Sequence, residues 1–444
     1  MEISKVIVGL EVHVELKTLS KMFCSCSADH FGKEPNSLTC PTCLGLPGAL
    51  PVPNKKAIDW TILLGVALGG EIQKFSRFDR KNYFYPDLAK GYQISQYDKP
   101  FVLGGSLLLD KGKKVRLRRV HLEEDTGKLL HQEIEGERVT LIDFNRSGVP
   151  LVEIVSEPDL NSSEEVKEYL EKIQQLVRYL EISDADMEKG SLRCEPNVNL
   201  EIKNEGKFFY TPIVELKNIN SFRFARKAID FEIDRQFEEF QEKRVEKKEG
   251  NKQTRGWDEV KQITVLQREK EEANDYRYFP EPDIPPIQWD EESIKYYVLS
   301  IKNYELPWTK KERFIKQYGL IPYQAKILTE EKEMADYYEK CVKVGGVRDI
   351  GGVEIANVII NKRAPENLEP KKLIKWIASQ TTSGSGDEKV IEKLIDELLD
   401  QNPQVVESYK KGKVQALGVI VGQIKRKTGL VVPSEKIIAR IKVF

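Results

Sequence analysis

Four short segments rich in Val, Ile and Leu, partly alternating with polar residues, mark the first two-thirds of the chain: Val6 to Glu15, Val115 to Leu122, Leu151 to Val155 and Val198 to Ile202. That is the pattern of half-buried β-strands. Two longer stretches carry a helical period instead. Ser162 and Glu165 have capping-box spacing ahead of Val166, Tyr169, Leu170, Ile173, Leu176, Val177 and Leu180. A second helix is predicted from about Ser221 to Lys248, with Phe222, Ala225, Ile229, Ile233, Phe237 and Phe240 inward and a solvated charged end.

Beyond the Pro-rich stretch Pro280 to Pro286 the strand-like alternation gives way to helical pattern. The expected fold class is therefore α+β: a large mixed α/β domain over residues 1–290, an all-α helical domain over 291–380 and an all-α tail over 381–444. The last break falls at Gln380 to Gly386, whose composition is that of a flexible linker.

Composition changes this picture in two places. The 70 basic and 71 acidic side chains nearly cancel over 444 residues, so no global charge announces a nucleic-acid partner. Locally the balance breaks: from Ser408 to Phe444 nine basic residues face one acidic, among them Lys410, Lys411, Lys413, Lys425, Arg426 and Lys427. The amino terminus lacks a signal-peptide pattern and no stretch approaches a membrane span, so the expectation is a cytoplasmic protein without membrane contact.

The candidate chemistry lies on the strands. Period two puts Glu11, His13 and Glu15 on one face of their strand, with alternate residues about 7 Å apart. A second strand ends in Glu123-Glu124-Asp125, three acids that repel one another unless solvated, hydrogen-bonded or neutralised by a cation. Glu153 stands inside an apolar run and needs a partner there. Taken singly, the first group reads as a solvated strand edge and the second as a solvated turn. Taken together, three carboxylate-bearing strands with imidazoles nearby suit a hard divalent cation such as Mg²⁺, which bridges nucleotide phosphates. There is no Gly-x-x-x-x-Gly-Lys-Ser/Thr loop, so an ATP site must be of another kind. Arg193, Lys217, Asn218 and Asn220 are further polar donors, the last three leading into a helix amino end, which favours anions.

Cys24, Cys26, Cys40 and Cys43 form two close pairs, the second a Cys-x-x-Cys, and predict a structural Zn²⁺ within an insertion at about 22–45. A redox dithiol is the rival. Cys194 reads as a small buried hydrophobe. Two aromatic-rich motifs, Lys81 to Asp87 and Asp275 to Asp283, read either as packing under a loop or as a platform for the terminal adenosine of a tRNA.

Several of these motifs, in this order, resemble the B subunits of bacterial glutamyl/aspartyl-tRNA amidotransferases: Gly9 to Leu16, Asp79 to Asp87, His121 to Asp125, Glu153 to Asp159, Gly190 to Glu195, Glu215 to Phe222 and Asp275 to Asp283. The resemblance runs essentially end to end. It implies a cradle-shaped first domain and a YqeY-like tRNA-binding tail. It also implies that His13, Glu124 and Glu153, with Glu11 and Glu123, hold Mg²⁺ for phosphorylation of a misacylated tRNA by ATP. Implied partners are a glutaminase A subunit of the amidase type, a small C subunit, and Glu-tRNA(Gln) or Asp-tRNA(Asn). Two departures stand out: Glu195 where the family commonly has Asp, and a shorter chain around Gln380 to Asp387. Rival readings are a non-catalytic zinc-containing RNA-binding protein, which has no need of three acidic strands, and a Mg²⁺-dependent enzyme acting on a small acidic metabolite, which leaves the basic tail unexplained.

Overall fold

The structure, a computed structural model, describes residues 1–269, 276–383, 388–410, 414–428, 432 and 434–441. Asp275, the linker-like residues Gly384 to Asp387, Lys411, Gly412 and Lys413 lie outside these, as does the side chain of Lys425.

Nine strands form the path of the principal sheet: β1 (Glu2–Glu15), β2 (Glu71–Ile72), β3 (Val102–Leu103), β4 (Lys114–Glu124), β5 (Pro150–Ser156), β6 (Leu192–Asn204), β7 (Val214–Lys217), β8 (Gln253–Asp258) and β9 (Ile263–Glu269). Their order is β9-β8-β7-β6-β1-β5-β4-β3-β2. The neighbours run antiparallel except β7 and β8, which are parallel. The strands that carry His13, Glu153 and Glu123, namely β1, β5 and β4, are thus side by side.

Side-chain alternation gives the sheet two unlike faces. Val8, Leu10, Val12 and Val14 of β1 lie on one face with Val152 and Ile154 of β5, Val120 and Leu122 of β4, and Leu192, Cys194 and Val198 of β6, all buried in one core. Three helices cover that face: α1 (Lys55–Ala67), α2 (Ser163–Tyr179) and α3 (Phe222–Lys243). Each begins on a side-chain cap. Asn54 accepts from the backbone N–H of Lys56 at 3.0 Å, Ser162 from Glu165 at 3.2 Å, and Ser221 from Phe224 at 3.1 Å. The second helix of the sequence pattern, α3, ends earlier than predicted, at Arg244 in the left-handed conformation (φ 53°). On its inner side Glu232 and Gln236 are buried beside Ala225, Ala228, Ile229 and Phe240, because Arg235 and Thr264 hydrogen-bond the Glu232 carboxylate. Fully burying each large aliphatic side chain contributes about 1.5–3 kcal/mol. This face therefore carries the stability and leaves the opposite one to polar groups.

The strand pattern ends at Ile287–Gln288, and α4 (Glu291–Ser300) follows. Tyr297 of α4 packs into the first core and donates to Asp59 at 2.6 Å. The compact units part between Lys310 and Lys311. The second unit is helical among its described residues and has two separate cores, one containing Phe314, Leu328, Tyr338, Ile355 and Ile374, the other Ile395, Leu398, Ile420, Ile424 and Ile437. The chain is α+β, a mixed α/β unit followed by helices alone. No helix among the described residues is long and apolar enough to cross a membrane.

Candidate functional site

On the polar face the register sets His13 of β1 directly opposite Glu153 of β5 and Arg193 of β6, and Glu153 opposite His121 of β4. His13 Nε2 stands 3.7 Å from Glu123 Oε1 and 3.6 Å from Glu153 Oε2. One ligand atom from each of the three lies within 4.8 Å of the others. An octahedral site with bonds of about 2.1 Å has ligands about 3.0 Å apart when adjacent and 4.2 Å when opposite, so this trio fits a divalent cation that keeps water or phosphate oxygens elsewhere. The carboxylates are themselves held. Ser95 Oγ donates to Glu123 Oε2 at 2.9 Å, and His121 Nε2 lies 3.1 Å from Glu153 Oε2. Arg119 Nε donates to His121 Nδ1 at 3.3 Å, which leaves Nε2 as the ring nitrogen that faces Glu153. Burial opposes charge on Glu153, yet His121 and His13 hold its carboxyl well below the usual range. Burial likewise opposes charge on His13, and Glu153, Glu195 and Glu123 overcome it, raising its pKa to about 9.

The trio lines a cavity of about 330 Å³ shared with Glu11, Arg193, Glu195 and Lys217, a volume typical of small-ligand sites. Glu11 accepts from Asn197 Nδ2 at 3.2 Å, and burial, with Glu153, Glu195 and Glu215 nearby, pushes its pKa up to about 7. Arg193 is ion-paired with Asp125, and Lys217 with Glu195 and Glu215, each at 3.0 Å. Asn218 takes a left-handed conformation (φ 61°) at the bend after β7, its amide against Gly256. It does not line this cavity.

The two adjacent glutamates of the acidic run part company. Glu123 shares the polar face with His121, whereas Glu124 has the parity of Val120 and Leu122 and turns toward the covered side. There it pairs with Lys90 and accepts from the backbone N–H of Ile94 at 3.0 Å. The geometry brings His13, Glu123 and Glu153 together and places Glu124 behind them.

The thiols of Cys24, Cys26, Cys40 and Cys43 also cluster, every Sγ within 4.8 Å of the rest. Cys40 and Cys43 are 3.8 Å apart, close to the edge of a tetrahedron with Zn–S bonds of about 2.3 Å and far beyond a disulfide. The four sulfurs thus fit a zinc ion. A hydrogen bond from Cys24, the Cys40 backbone N–H and the Lys21 ammonium hold the Cys43 thiol down to about 5. Lys21 is buried and donates to Leu38 O at 2.7 Å, pinning the loop.

The two aromatic motifs meet each other. Phe279–Pro280 pairs with Asp79–Asn82, which pairs with Tyr92–Ser95. Tyr97 stacks on Tyr278 at 4.3 Å, and Tyr83 meets Tyr276 edge-on at 5.8 Å. Cavity residues to which the sequence analysis gave no part in the site include Arg119, His121 and Lys252. Strand parity would have found His121, which lies two residues before Glu123. In the tail, Lys410, Arg426 and Lys427 are exposed on their helices.

A mixed sheet with one face sealed by helices and the other bearing a carboxylate–imidazole cluster able to hold a cation in a small cavity defines an enzyme component, with a four-thiol cluster in the same unit. Residues 6–295 match the GatB/GatE catalytic domain and residues 352–439 the GatB domain. Relatives that carry the name of the B subunit of aspartyl/glutamyl-tRNA(Asn/Gln) amidotransferase are similar throughout. The Thermotoga maritima protein is 44% identical, over 95% of both chains, and that of Carboxydothermus hydrogenoformans 43% over the same shares. That of Thermomicrobium roseum is 41% identical over 95% of this chain and 94% of its own. This chain belongs to the family of aspartyl/glutamyl-tRNA(Asn/Gln) amidotransferase B subunits.

Proposed function

We propose that this chain phosphorylates the side-chain carboxylate of Glu or Asp carried by a misacylated tRNA, within a multisubunit, cytoplasmic, ATP-dependent ligase. The observation that carries the reading is the convergence of His13, Glu123 and Glu153 from three neighbouring strands on one cavity. A carboxylate does not yield to ammonia, because oxide is too poor a leaving group. In the first step a carboxylate oxygen attacks the γ-phosphorus of ATP, the bond to the β-phosphate oxygen breaks, and ADP leaves. Ammonia then attacks the acyl carbon, phosphate departs with the C–O electron pair, and the nitrogen loses a proton. Mg²⁺ bound at the trio supplies charge neutralisation at the phosphate oxygens.

His13, Glu123 and Glu153 hold that ion, with Glu11 facing the same cavity from two residues along β1. Glu124 acts from behind, anchoring the end of β4 through Lys90 and Ile94. Arg193 and Lys217 complete the polar surroundings of the nucleotide and acceptor end, and Asn218, outside the cavity, shapes the bend that follows Lys217. Cys24, Cys26, Cys40 and Cys43 hold a structural zinc. Ammonia comes from a glutaminase A subunit, with a small C subunit completing the complex. Residues 1–290 serve as the catalytic domain, 291–380 as a helical domain and 381–444 as the tRNA-binding tail.

The test uses the complete complex, γ-labelled ATP and Glu-tRNA(Gln). Glu153→Gln should lower label transfer and amide formation by about 10²–10³, leaving the partner's glutaminase and tRNA affinity near wild type. Transfer at the wild-type rate by a well-folded Glu153→Gln or His13→Ala complex would refute the assignment.

A further inference from the structure

Among the described residues, five lysine and arginine side chains line the cavity: Lys81, Arg119, Arg193, Lys217 and Lys252. Three are committed to carboxylates. Arg193 pairs with Asp125, Lys217 with Glu195 and Glu215, and Lys252 with Glu215. Among the described residues, Lys81 and Arg119 have no carboxylate within ion-pair distance and rest on aromatic rings instead. Lys81 Nζ lies 4.8 Å from the Tyr276 ring centre and 5.8 Å from that of Tyr83. The Arg119 guanidinium lies 5.8 Å from the Tyr97 ring, which is itself stacked on Tyr278.

Magnitudes make this arrangement informative. A cation–π contact contributes about 0.5–2 kcal/mol, whereas withdrawing a lone ammonium from water costs several kcal/mol. Neither is neutralised by a salt bridge among the described residues, while Glu123 and Glu153 favour the charged form of Lys81 from a longer distance, so both leave positive charge open to an anion in the cavity. Both are fixed relative to the carboxylate–imidazole trio. Lys81 sits across from Gln93 in its small sheet, and the Gln93 amide donates to the backbone oxygen of Glu124 at 2.7 Å, the residue after Glu123. Arg119 bonds His121, which holds Glu153.

We propose that Lys81 and Arg119 are the phosphate-binding side chains of this cavity, taking the terminal phosphoryl group of the nucleotide as it passes to the substrate carboxylate. The assignment rests on the phosphoryl-transfer reading above and deepens it. The migrating group spreads its charge over three equatorial oxygens, which are best stabilised by fixed positive groups on more than one side. The trio addresses one side through its cation. Lys81 and Arg119 supply another, each held against tyrosine rings. A backbone phosphate of the tRNA acceptor end offers the same chemistry, and competition separates the two sources.

The experiment measures binding of inorganic tripolyphosphate to the complete complex, alongside γ-phosphate transfer from ATP to Glu-tRNA(Gln). A hydrogen bond to a charged group is worth about 1.5–3 kcal/mol, so Lys81→Met and Arg119→Gln should each weaken tripolyphosphate about tenfold to a hundredfold and slow transfer at least as much. Lys81→Arg and Arg119→Lys should recover part of both, which a merely structural role does not predict. ATP should displace the probe and a CCA-ended RNA hairpin should not. Wild-type affinity for tripolyphosphate in both neutral variants would overturn the proposal, as would displacement by the RNA alone. A wild-type complex that binds the probe through Lys81 and yet transfers no phosphate would leave the anion site standing and remove the phosphoryl-transfer reading instead.

Discussion

Arg80 grips Glu281 with two parallel hydrogen bonds, Nε to Oε2 at 2.6 Å and Nη2 to Oε1 at 2.8 Å, and reaches Asp283 at 3.1 Å. The Glu281 side chain is wholly buried, and the pair fastens two aromatic motifs that lie far apart in the chain. Arg80→Met leaves that carboxylate without its partner and should destabilise the first unit by about 3–5 kcal/mol. Urea unfolding of Arg80→Met, Glu281→Gln and the double variant checks this. The double variant should lose clearly less than the two single losses added together.

The two adjacent glutamates should behave differently. Glu123→Gln removes a ligand and should weaken Mg²⁺ binding, measured calorimetrically, more than it alters stability. Glu124→Gln strands the Lys90 ammonium and should do the reverse, lowering stability by about 3 kcal/mol or more while the cation site persists. Gly45→Ala should resemble Glu124→Gln, because a Cβ at that left-handed position (φ 67°) runs into the Lys90 side chain.

Reduced protein should carry about one zinc per chain, the stoichiometry of a closed four-thiolate site. Cys40→Ser should lower the zinc content and loosen the loop while leaving the cation site competent. Elemental analysis that finds no zinc in reduced, unchelated protein would sink this assignment.

The His13 pKa is raised to about 9 from an ordinary value near 6.5, so its ion pairing with Glu153 and Glu123 adds stability below about pH 6.5 that is lost as pH rises through about 9. A metal ligand must be unprotonated, so cation affinity has the opposite slope and should tighten over the same window. Thermal unfolding with chelator, against Mg²⁺ titrations from about pH 6.5 to about pH 9.5, reads both signs. A cation affinity independent of pH would remove His13 from the ligand set.

Replacing the exposed Lys410, Arg426 and Lys427 by Ala should weaken tRNA binding and make it less sensitive to salt. On duplex RNA, as on DNA, each phosphate that is no longer neutralised is expected to take about 0.9 from the log–log slope. Filter binding from about 50 to 200 mM salt measures it. An unchanged slope would reduce this surface to a solvated face.

Four strands, β1, β4, β5 and β6, and two helices, α2 and α3, were legible in the sequence because their signals are local, whereas α1 and the shorter strands were not read from it. Alternation at Glu11, His13 and Glu15 put three polar groups on one face, and Ser162 and Ser221 marked helix starts that the backbone uses. The thiol cluster was legible for the same reason: close spacing within each pair limits the geometries the four can adopt. Local signals also misjudged α3, where a charged partner on the same helix and Thr264 from β9 allow Glu232 inside.

By itself, then, the sequence determined which residues alternate along four strands, where α2 and α3 start, which thiols cluster and to which family the chain belongs. Strand order was decided only by tertiary structure, since antiparallel pairing of β1 with both β5 and β6 depends on the burial of a shared apolar face rather than on any neighbouring residues. With the order came the register that opposes His13 to Glu153 and turns Glu123 and Glu124 to opposite faces. Which cavity cations have no salt bridge among the described residues was likewise a tertiary matter. Composition counts Lys81 and Lys217 alike, and only the packing of distant carboxylates neutralises one and leaves the other facing the cavity.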